Sequence, residues 1–406
     1  MQDTKILDIT ADVKWIGVLD ADIRNFDIVM ETQYGTTYNS YFINAQKKTI
    51  VDATKEKFWD VYLAKLLAVT KPEEIEYIIV HHSEPDHSGN LANLLQLAPQ
   101  VIVVGSGNVV RYLGDLLNRD FAHIIVKDGD TLDLGNKTLR FIGAPNLHWP
   151  DTMYSYLEED KLLFTCDSFS AHFCHPEMYD DKVGDFDDSF KYYFDVIMKI
   201  YSKFALKAIE KIRPLDIRAI CTGHGPVLTH DWKKYVDLTE KYAREAFVEP
   251  KNERVMIAYV SAYGNTKMMA EAIAKGFEEH KTIEVDLCDI EKMSFGEIEL
   301  KINQASAFII GSPTINQNTF LPIYMMFAAM SPLRDRGKLA GCFGSYGWGG
   351  EVQKIIEGNL TNLKLILFSE NMFIKFTPSG EELNRCYHYG IDFGLKMLEL
   401  NCVAKP

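Results

Sequence analysis

The sequence predicts a multi-domain α/β protein with two dissimilar parts, and three observations support this class. Residues 1 to about 248 contain many short apolar runs of strand length with interspersed helical stretches. A polar segment over 248–253, with a proline among charged residues, then interrupts the pattern. From Arg254 the order becomes strand, loop, helix and strand, which is typical of a parallel sheet with helices on both faces. We therefore predict one domain over residues 1–249 and a second over 253–406.

The individual elements are predicted from local patterns. In the first domain, apolar runs predict buried strands over 77–80, 101–104 and 219–221, and a stretch with several aromatic residues predicts one long helix over about 190–211. In the second domain, the same reasoning predicts an amphipathic helix over 267–279 and strands over 255–259, 307–311, 339–344 and 372–376.

Composition limits the class of function. The 406 residues carry a net charge of −14, which disfavours nucleic acid as a partner. No apolar run approaches the roughly 18 residues needed to span a bilayer, and residues 1–10 have no secretory pattern, so we expect no membrane partner. The 7 cysteines include no C-x-x-C pair, which favours a reducing cytoplasm and argues against disulfides, a built-in rubredoxin or a zinc ribbon.

The densest group of candidate metal ligands follows the predicted strand that ends at Val80. It has the pattern His82-x-Glu84-x-Asp86-His87. Imidazoles and carboxylates so close together would repel one another or lack partners unless a cation were present. A solvated polar turn is the alternative interpretation, because the neighbouring serine, proline and glycine residues also fit a turn.

Three further candidate ligands follow other predicted strands. His148 comes after an apolar run, Asp167 ends another, and His224 follows the strand over 219–221. Taken singly, each is better explained as a capping or packed residue. Ligand-type residues at four strand ends of one domain favour a metal site over that explanation.

These residues resemble the pattern of the metallo-β-lactamase superfamily, which is H-x-H-x-D-H followed by a histidine, an aspartate and a histidine on later loops. The resemblance implies an αββα sandwich. This chain has Glu84 where that pattern has its second histidine. A carboxylate is a harder ligand than imidazole and shifts the preference from zinc toward iron. With this difference the chain resembles the flavodiiron proteins, also called A-type flavoproteins.

The resemblance implies seven ligands shared between two irons. One iron takes His82, Glu84 and His148, the other takes Asp86, His87 and His224, and Asp167 bridges both. Two further residues, His172 and Tyr193, match family residues near the irons, which implies catalytic roles beside the substrate, and ordinary packing is their alternative. His81 is expected to point away from the metals, because neighbouring residues of a strand face opposite sides.

Three loops of the second domain follow predicted strands and could form the ligand crevice of a doubly wound sheet. The first consists of Ser261, Ala262, Tyr263, Gly264, Asn265 and Thr266, the second of Ser312, Pro313, Thr314, Ile315 and Asn316, and the third of Ser345, Tyr346, Gly347, Trp348, Gly349 and Gly350. Hydroxyls and backbone N–H groups at a helix start can hold a phosphate. A simple helix N-cap by Asn265 or Ser261 is the alternative for the first loop.

This second domain resembles flavodoxin, a doubly wound parallel sheet that binds FMN. The resemblance implies that residues 261–266 bind the FMN phosphate and that residues 312–316 and 345–350 flank the isoalloxazine ring. Tyr346 and Trp348 are the candidates for ring contact, with packing at the sheet edge as their alternative.

The family resemblance covers essentially the whole chain and implies an oxidoreductase. It implies that a diiron centre reduces O2 to water, NO to N2O, or both, with electrons delivered through FMN from an external donor such as rubredoxin or a reduced deazaflavin (F420H2). It also implies a head-to-tail homodimer, or a tetramer built from it. Two alternatives are a zinc hydrolase fused to a flavodoxin-like module and a pure electron carrier. Glu84 argues against the first, and the complete ligand set argues against the second.

Overall fold

The computed structural model describes residues 4–26, 30–247 and 253–403, and they form two compact units. The first unit contains the described residues up to 247 apart from 30–31, which group with the second unit. The predicted boundary segment covers 248–253, and all of it except Glu253 lies outside the described residues. The bounds 1–249 and 253–406 therefore stay predictions.

Short strands dominate the chain up to residue 222. They are β1 (Leu7–Asp8), β2 (Val13–Trp15), β3 (Val18–Asp20), β4 (Asn25–Phe26), β5 (Met30–Glu31), β6 (Thr36–Tyr38), β7 (Tyr41–Ile43), β8 (Lys48–Val51), β9 (Ile75–Ile79), β10 (Ile102–Gly105), β11 (His123–Ile125), β12 (Thr131–Asp133), β13 (Thr138–Gly143), β14 (Met153–Leu157), β15 (Leu162–Cys166) and β16 (Ala219–Thr222). The helices of this part are α1 (Trp59–Val69), α2 (Pro85–Ser88), α3 (Leu91–Leu97), α4 (Gly107–Leu117), α5 (Asp187–Tyr193), α6 (Ser202–Ile212) and α7 (Trp232–Glu245).

Two sheets of the first unit pack face to face. The larger has the strand order β1-β2-β7-β8-β9-β10-β11, and the smaller has the order β12-β13-β14-β15-β16. Their facing sides share one core, in which Trp15 and Ile79 of the larger sheet join Phe141 and Phe164 of the smaller. Separate apolar clusters attach α1, α3 and α4 to the outer face of one sheet and α5, α6 and α7 to the other. This is the expected αββα sandwich.

The three predicted strands are present as β9, β10 and β16, with ends that differ by one or two residues. The single helix predicted over 190–211 is wrong, because a π-helical turn (Phe194–Met198) and a 3-10 turn (Lys199–Tyr201) separate α5 from α6. The buried residues Phe190, Phe194 and Met198 recur every four residues, a wider spacing than the 3.6 residues of an α-helical turn. The wider π-helical turn lets them share the core face.

The second unit alternates strands and helices. Its strands are β17 (Glu253–Tyr259), β18 (Ile283–Asp289), β19 (Ala307–Gly311), β20 (Leu339–Tyr346), β21 (Ile366–Leu367) and β22 (Met372–Lys375). Its helices are α8 (Asn265–Gly276), α9 (Phe295–Gln304), α10 (Leu321–Ala329), α11 (Pro332–Asp335), α12 (Val352–Asn362) and α13 (Gly380–Val403). The helix predicted over 267–279 corresponds to α8 and a following 3-10 turn.

The strands β18-β17-β19-β20-β22 pair side by side and run parallel. Apolar clusters cover both faces of the sheet, as the doubly wound fold requires. The order reverses between β17 and β19, and ligands of such folds bind at the strand ends at that point. The expected flavodoxin-like sheet is therefore present. Within the described part of the chain, no helix has both the length and the apolar character needed to cross a membrane.

Candidate functional site

All seven predicted metal ligands lie where strands of the sandwich end. They are His82 and Glu84 between β9 and α2, Asp86 and His87 in α2, His148 between β13 and β14, Asp167 after β15, and His224 after β16. The short helix α2 begins with a proline at its first position, where the missing N–H costs nothing. The segment over 82–87, which follows β9 of the larger sheet, thus lies close to the loops of the smaller sheet that carry His148, Asp167 and His224.

The ligand atoms gather in two groups, and within each group they lie within 4.8 Å of one another. One group is His82, Glu84, His148 and Asp167, and the other is Asp86, His87 and His224. The sequence predicted the same two groups, except that it assigned Asp167 to both of them.

Asp167 lies between the two groups and directs one oxygen toward each. Its Oδ1 is 3.0 Å from Nε2 of His87 and 3.3 Å from Nε2 of His224. Its Oδ2 is 3.7 Å from Nε2 of His82 and 3.8 Å from Nε2 of His148. A carboxylate in this position can bridge two cations.

The other two carboxylates each serve one group. Oε2 of Glu84 lies 3.0 Å from Nε2 of His82 and 3.2 Å from Nε2 of His148. Oδ2 of Asp86 lies 3.1 Å from Nε2 of His224. In each case the Nε2 atom of the imidazole faces the cluster, so the Nδ1 atom is left for other partners.

Those outer partners were not predicted from the sequence. Nδ1 of His82 is 3.0 Å from Oδ1 of Asp151, whose Oδ2 accepts hydrogen bonds from the backbone N–H and the hydroxyl of Ser83. Nδ1 of His224 is 2.6 Å from the backbone carbonyl of Thr37. Such bonds fix the tautomer and orientation of a ligating imidazole. The position of Asp151, three residues after His148, was a usable signal, whereas a carbonyl partner leaves no trace in the sequence.

The cluster is buried apart from the partly exposed Glu84 and His148. Two buried atoms beside it, Oδ1 of Asp86 and Nδ1 of His87, have no hydrogen-bond partner. Unpartnered buried polar atoms are costly, and a cation would satisfy the free carboxylate oxygen of Asp86.

The charges of the cluster also fit cations. Burial works against charge on His82 and His224, but hydrogen bonds to carboxylates outweigh it. Bonds to Asp151 and Glu84 hold the pKa of His82 well above its usual range, and bonds to Asp167 and Asp86 raise the pKa of His224 to about 10. These two imidazoles thus carry positive charge that balances part of the charge of the carboxylates. Divalent cations would supply that charge, and their binding would release the protons.

Two other residues next to the cluster are accounted for by local bonds. His81 points away as expected, with Nδ1 at 2.8 Å from Asp52 and Nε2 at 2.8 Å from the Ser155 hydroxyl. Cys166 lies within reach of His87 and Asp167. Burial and the charge of Asp167 hold the pKa of the Cys166 thiol well above its usual value, so it stays protonated and is a poor ligand.

The predicted catalytic residues lie beside the cluster. The Tyr193 hydroxyl donates to Oδ1 of Asp167 at 3.1 Å, and burial beside that carboxylate raises the tyrosine pKa well above its usual value. The His172 ring lies 4.9 Å from the Tyr193 ring and 5.2 Å from the His224 ring, between centroids. Burial and the charge of His224 hold the pKa of His172 well below its usual range. Its Nδ1 is 2.9 Å from the Thr36 hydroxyl, and its buried Nε2 has no partner.

In the second unit, the three predicted loops meet at a surface cleft of about 390 Å³. The cleft is lined by Tyr263, Asn265, Pro313, Thr314, Ile315, Asn316, Ser345, Tyr346, Gly347, Trp348 and Phe376. Phe376, just after β22, was missed because a lone aromatic at a strand end has no distinctive pattern. The remaining loop residues do not line it, namely Ser261, Ala262, Gly264, Thr266, Ser312, Gly349 and Gly350.

The cleft fits a planar ring with a phosphate. The rings of Tyr263 and Trp348 are 87% and 93% exposed, so they have broad apolar surface available for a ligand. The buried hydroxyl of Thr314 has no hydrogen-bond partner. At the start of α8 the N-cap residue is Gly264, with a φ of +85° and no side-chain cap, so neither Asn265 nor Ser261 occupies the N-cap position. The Ser261 hydroxyl still accepts from the N–H of Lys267, in the first turn of α8, at 3.1 Å, so the alternative of helix capping by Ser261 holds in this form.

The fold and the two sites define a two-domain α/β protein with a metallo-β-lactamase-like unit and a flavodoxin-like unit. Residues 36–225 match the family model described as ODP family beta lactamase, and residues 257–390 match the flavodoxin model. The flavo-diiron protein FprA2 of Clostridium acetobutylicum is 37% identical to this chain over 93% of it and 96% of the relative. The type A flavoprotein fprA of Rhodobacter capsulatus is 38% identical over 93% and 88%.

Solved structures agree. The flavodiiron protein from Giardia intestinalis is 26% identical, with a TM-score of 0.77 over 99% of each chain. The rubredoxin oxygen:oxidoreductase of Desulfovibrio gigas is 25% identical, with a TM-score of 0.78 over 98% of this chain and 100% of that one. The chain therefore belongs to the flavodiiron protein family. It is a diiron flavoprotein oxidoreductase, and its cofactors are FMN and a diiron centre.

Proposed function

We propose that this protein reduces O2 to water, NO to N2O, or both, at the cluster of the first unit, with electrons that arrive through FMN. The observation that carries this proposal is the position of Asp167 between two groups of ligand-type side chains, with one oxygen facing each. Two metals held by these residues would bind a small oxygen-containing molecule from both sides. The name of the Desulfovibrio gigas protein, a rubredoxin oxygen:oxidoreductase, agrees with this substrate class.

We assign the metal ligands as the sequence predicted them. The groups would hold one iron by His82, Glu84 and His148 and the other by Asp86, His87 and His224, with Asp167 shared. FMN and two ferrous ions would together supply the four electrons that O2 needs, or the two that a pair of NO molecules needs. The three carboxylates balance much of the positive charge of such a pair, and Asp151 and the Thr37 carbonyl orient two of the imidazoles.

Tyr193 and His172 would complete the substrate pocket. Tyr193 keeps its proton, because burial and Asp167 raise its pKa, and its hydroxyl is therefore a fixed donor beside the bridging position. The pKa of His172 is lowered, so this imidazole is neutral, with an unpartnered Nε2 available to a bound molecule. Neither group adds a charge where an uncharged diatomic gas must bind.

We further propose an external electron donor, either rubredoxin or F420H2, and a cytoplasmic location. The proposal of rubredoxin is supported by the name of the Desulfovibrio gigas protein, a rubredoxin oxygen:oxidoreductase, and by the lack of a C-x-x-C pair in this sequence. The 6 described cysteines are all free, as a reducing compartment favours. A head-to-tail homodimer, or a tetramer built from it, would place the FMN of one chain beside the diiron site of its partner. The exposed rings of Tyr263 and Trp348 suit a flavin edge that another protein approaches.

Anaerobic reconstitution with iron and FMN tests the proposed function. After reduction, consumption of O2 and of NO is measured separately, with water and N2O as the expected products and no released peroxide. His148→Asn should abolish both reactions and leave bound FMN unchanged. The exposed His230→Asn is the matched control and should retain full activity. Zinc in place of iron together with thioester or phosphodiester cleavage would overturn the proposal, as would full turnover in the His148 variant.

A further inference from the structure

A small cavity lined by buried residues lies beside Tyr193. It leaves about 10 Å³ for the centre of a water-sized sphere, which is enough for one small molecule. Most of its wall is apolar and comes from Phe169, Phe190, Phe194, Met198 and Ala205. The ring of Tyr193 forms another part of the wall, while its hydroxyl donates to Asp167.

The polar atoms of the wall already have protein partners. The Tyr154 hydroxyl donates to Ser168 at 2.6 Å, and the Ser170 hydroxyl donates to the Cys166 carbonyl at 3.0 Å. The Thr239 hydroxyl donates to the carbonyl of Tyr235 at 2.8 Å. A buried water needs two to four polar partners, and this wall does not provide them. The cavity therefore favours an apolar molecule over water.

The wall is built at the irregular part of the helical segment. Phe194 and Met198 are the first and last residues of the π-helical turn that immediately follows Tyr193. A π-helical turn widens the helix and recurs at functional sites. Ser168 and Ser170 belong to the loop that follows Asp167, so the cavity and the cluster share two segments of chain.

We propose that this cavity, here called the Tyr193 cavity, binds one diatomic gas molecule and supplies it to the Asp167 side of the cluster. The inference depends on the proposed function, because O2 and NO are the gases concerned. Both are small, uncharged and nearly apolar, so both match the size and the lining of the cavity. A bound gas would raise the local substrate concentration beside Tyr193 without a polar contact, which predicts an effect on KM and not on kcat.

Methyl NMR with dissolved O2 tests the binding step. The full-length protein is prepared with oxidised FMN and with zinc in place of iron, so that O2 is not consumed, and methionine and alanine methyl groups are labelled. Paramagnetic O2 should broaden the methyl signals of Met198 and Ala205 several times more than those of Met178 and Ala208. The two reference residues are equally buried but do not line the cavity. Equal broadening at all four positions would overturn the proposal.

A pair of variants on α6 provides the control. Ala205→Val fills the cavity, whereas Ala208→Val adds the same side chain one turn later, outside the cavity, with the same cost in helix propensity. Ala205→Val should remove the excess broadening at Met198 and raise KM for the gas in the iron enzyme, with kcat unchanged. Ala208→Val should leave the broadening and KM as they are. Unchanged KM in folded Ala205→Val protein would overturn the supply role.

The two proposals fail in different ways. Selective broadening in a protein that reduces neither O2 nor NO would retain the gas site and refute the proposed function. Turnover of O2 or NO without selective broadening would retain the proposed function and refute the gas site. The NMR readout does not require activity, so neither result depends on the other.

Discussion

The cluster of the first unit and the cleft of the second are built by different means. The cluster consists of mostly buried side chains at strand ends of a sandwich, and hydrogen bonds that the Asp151 carboxylate and the Thr37 carbonyl accept already orient two of its imidazoles. The cleft consists of loops at the surface, and its two largest rings, Tyr263 and Trp348, are almost fully exposed. Side-chain chemistry defines the first site, whereas backbone conformation and open apolar surface define the second.

This difference determines how each site should respond to the loss of a side chain. In the cluster every carboxylate contacts two or more groups, so loss of one leaves buried polar atoms without partners. In the cleft the exposed side chains make few contacts within the protein. Loss of one of them should therefore weaken ligand binding without destabilising the fold. Because the two sites lie in separate compact units, we expect a change in one to leave ligand binding in the other intact.

The largest expected effect is the loss of the shared carboxylate. Asp167→Asn keeps the shape of the side chain but removes the charge between the two ligand groups. Iron content should fall from two per chain toward zero while FMN content stays at one. Iron assay and flavin absorbance on the same sample measure both, with the exposed Asp120→Asn as the control. Loss of FMN in parallel with iron would contradict the independence of the two units.

A smaller effect is expected at the outer carboxylate Asp151, which we regard as a positioning residue. Asp151→Ala removes the partner of Nδ1 of His82 without touching a predicted ligand atom. Removal of such an outer partner weakens metal affinity by about 10–100-fold. Chelator competition on the full-length protein measures this, and the exposed Asp128→Ala is the matched control. Wild-type metal affinity in the Asp151 variant would show that His82 needs no orienting bond.

The same contrast explains how far sequence reasoning reaches. The residues of the cluster could be predicted because histidines and carboxylates at strand ends are chemically distinctive, and Glu84 even indicated the metal. The strands could also be predicted, because short apolar runs bounded by turn residues are typical of buried strands. Asp151 was passed over although its position three residues after His148 was a usable signal, because its partner, His82, lies far from it in the sequence. The π-helical turn over 194–198 could not be predicted, because the same aromatic pattern also fits a regular helix.

The cleft was less accessible to sequence reasoning. The loops were placed correctly at the ends of β17, β19 and β20, because parallel strands end at one edge of a sheet. The sequence did not separate the loop residues that line the cleft from those that hold the loop together. Thr266 and Ser345 illustrate this, since their hydroxyls lie 3.0 Å apart, yet only Ser345 lines the cleft.

A moderate effect is expected at the exposed ring of the cleft. Trp348→Ala should weaken FMN binding about 10-fold, which corresponds to roughly 1.4 kcal/mol for loss of an aromatic contact. The ring is 93% exposed, so the unfolding free energy without FMN should not change. Fluorescence titration of the FMN-free protein measures the affinity. Leu333→Ala removes another exposed apolar side chain of the same unit, outside the cleft, and should leave FMN affinity unaltered.

The smallest effect, and the most discriminating for the role of backbone, is expected from two glycines of the second unit. A Cβ added at Gly264 or at Gly358 would meet no atom within 4 Å, so packing cannot distinguish them. Gly264 has a φ of +85°, and an L-residue in that conformation costs about 1–2 kcal/mol. Gly358 lies within α12, where alanine is favoured over glycine by about 0.8–1.0 kcal/mol. Urea unfolding of the FMN-free protein should therefore show Gly264→Ala destabilised and Gly358→Ala stabilised. Stabilisation by both substitutions would mean that the loop before α8 does not hold its left-handed conformation without FMN, and that the cleft, unlike the cluster, is shaped by its ligand.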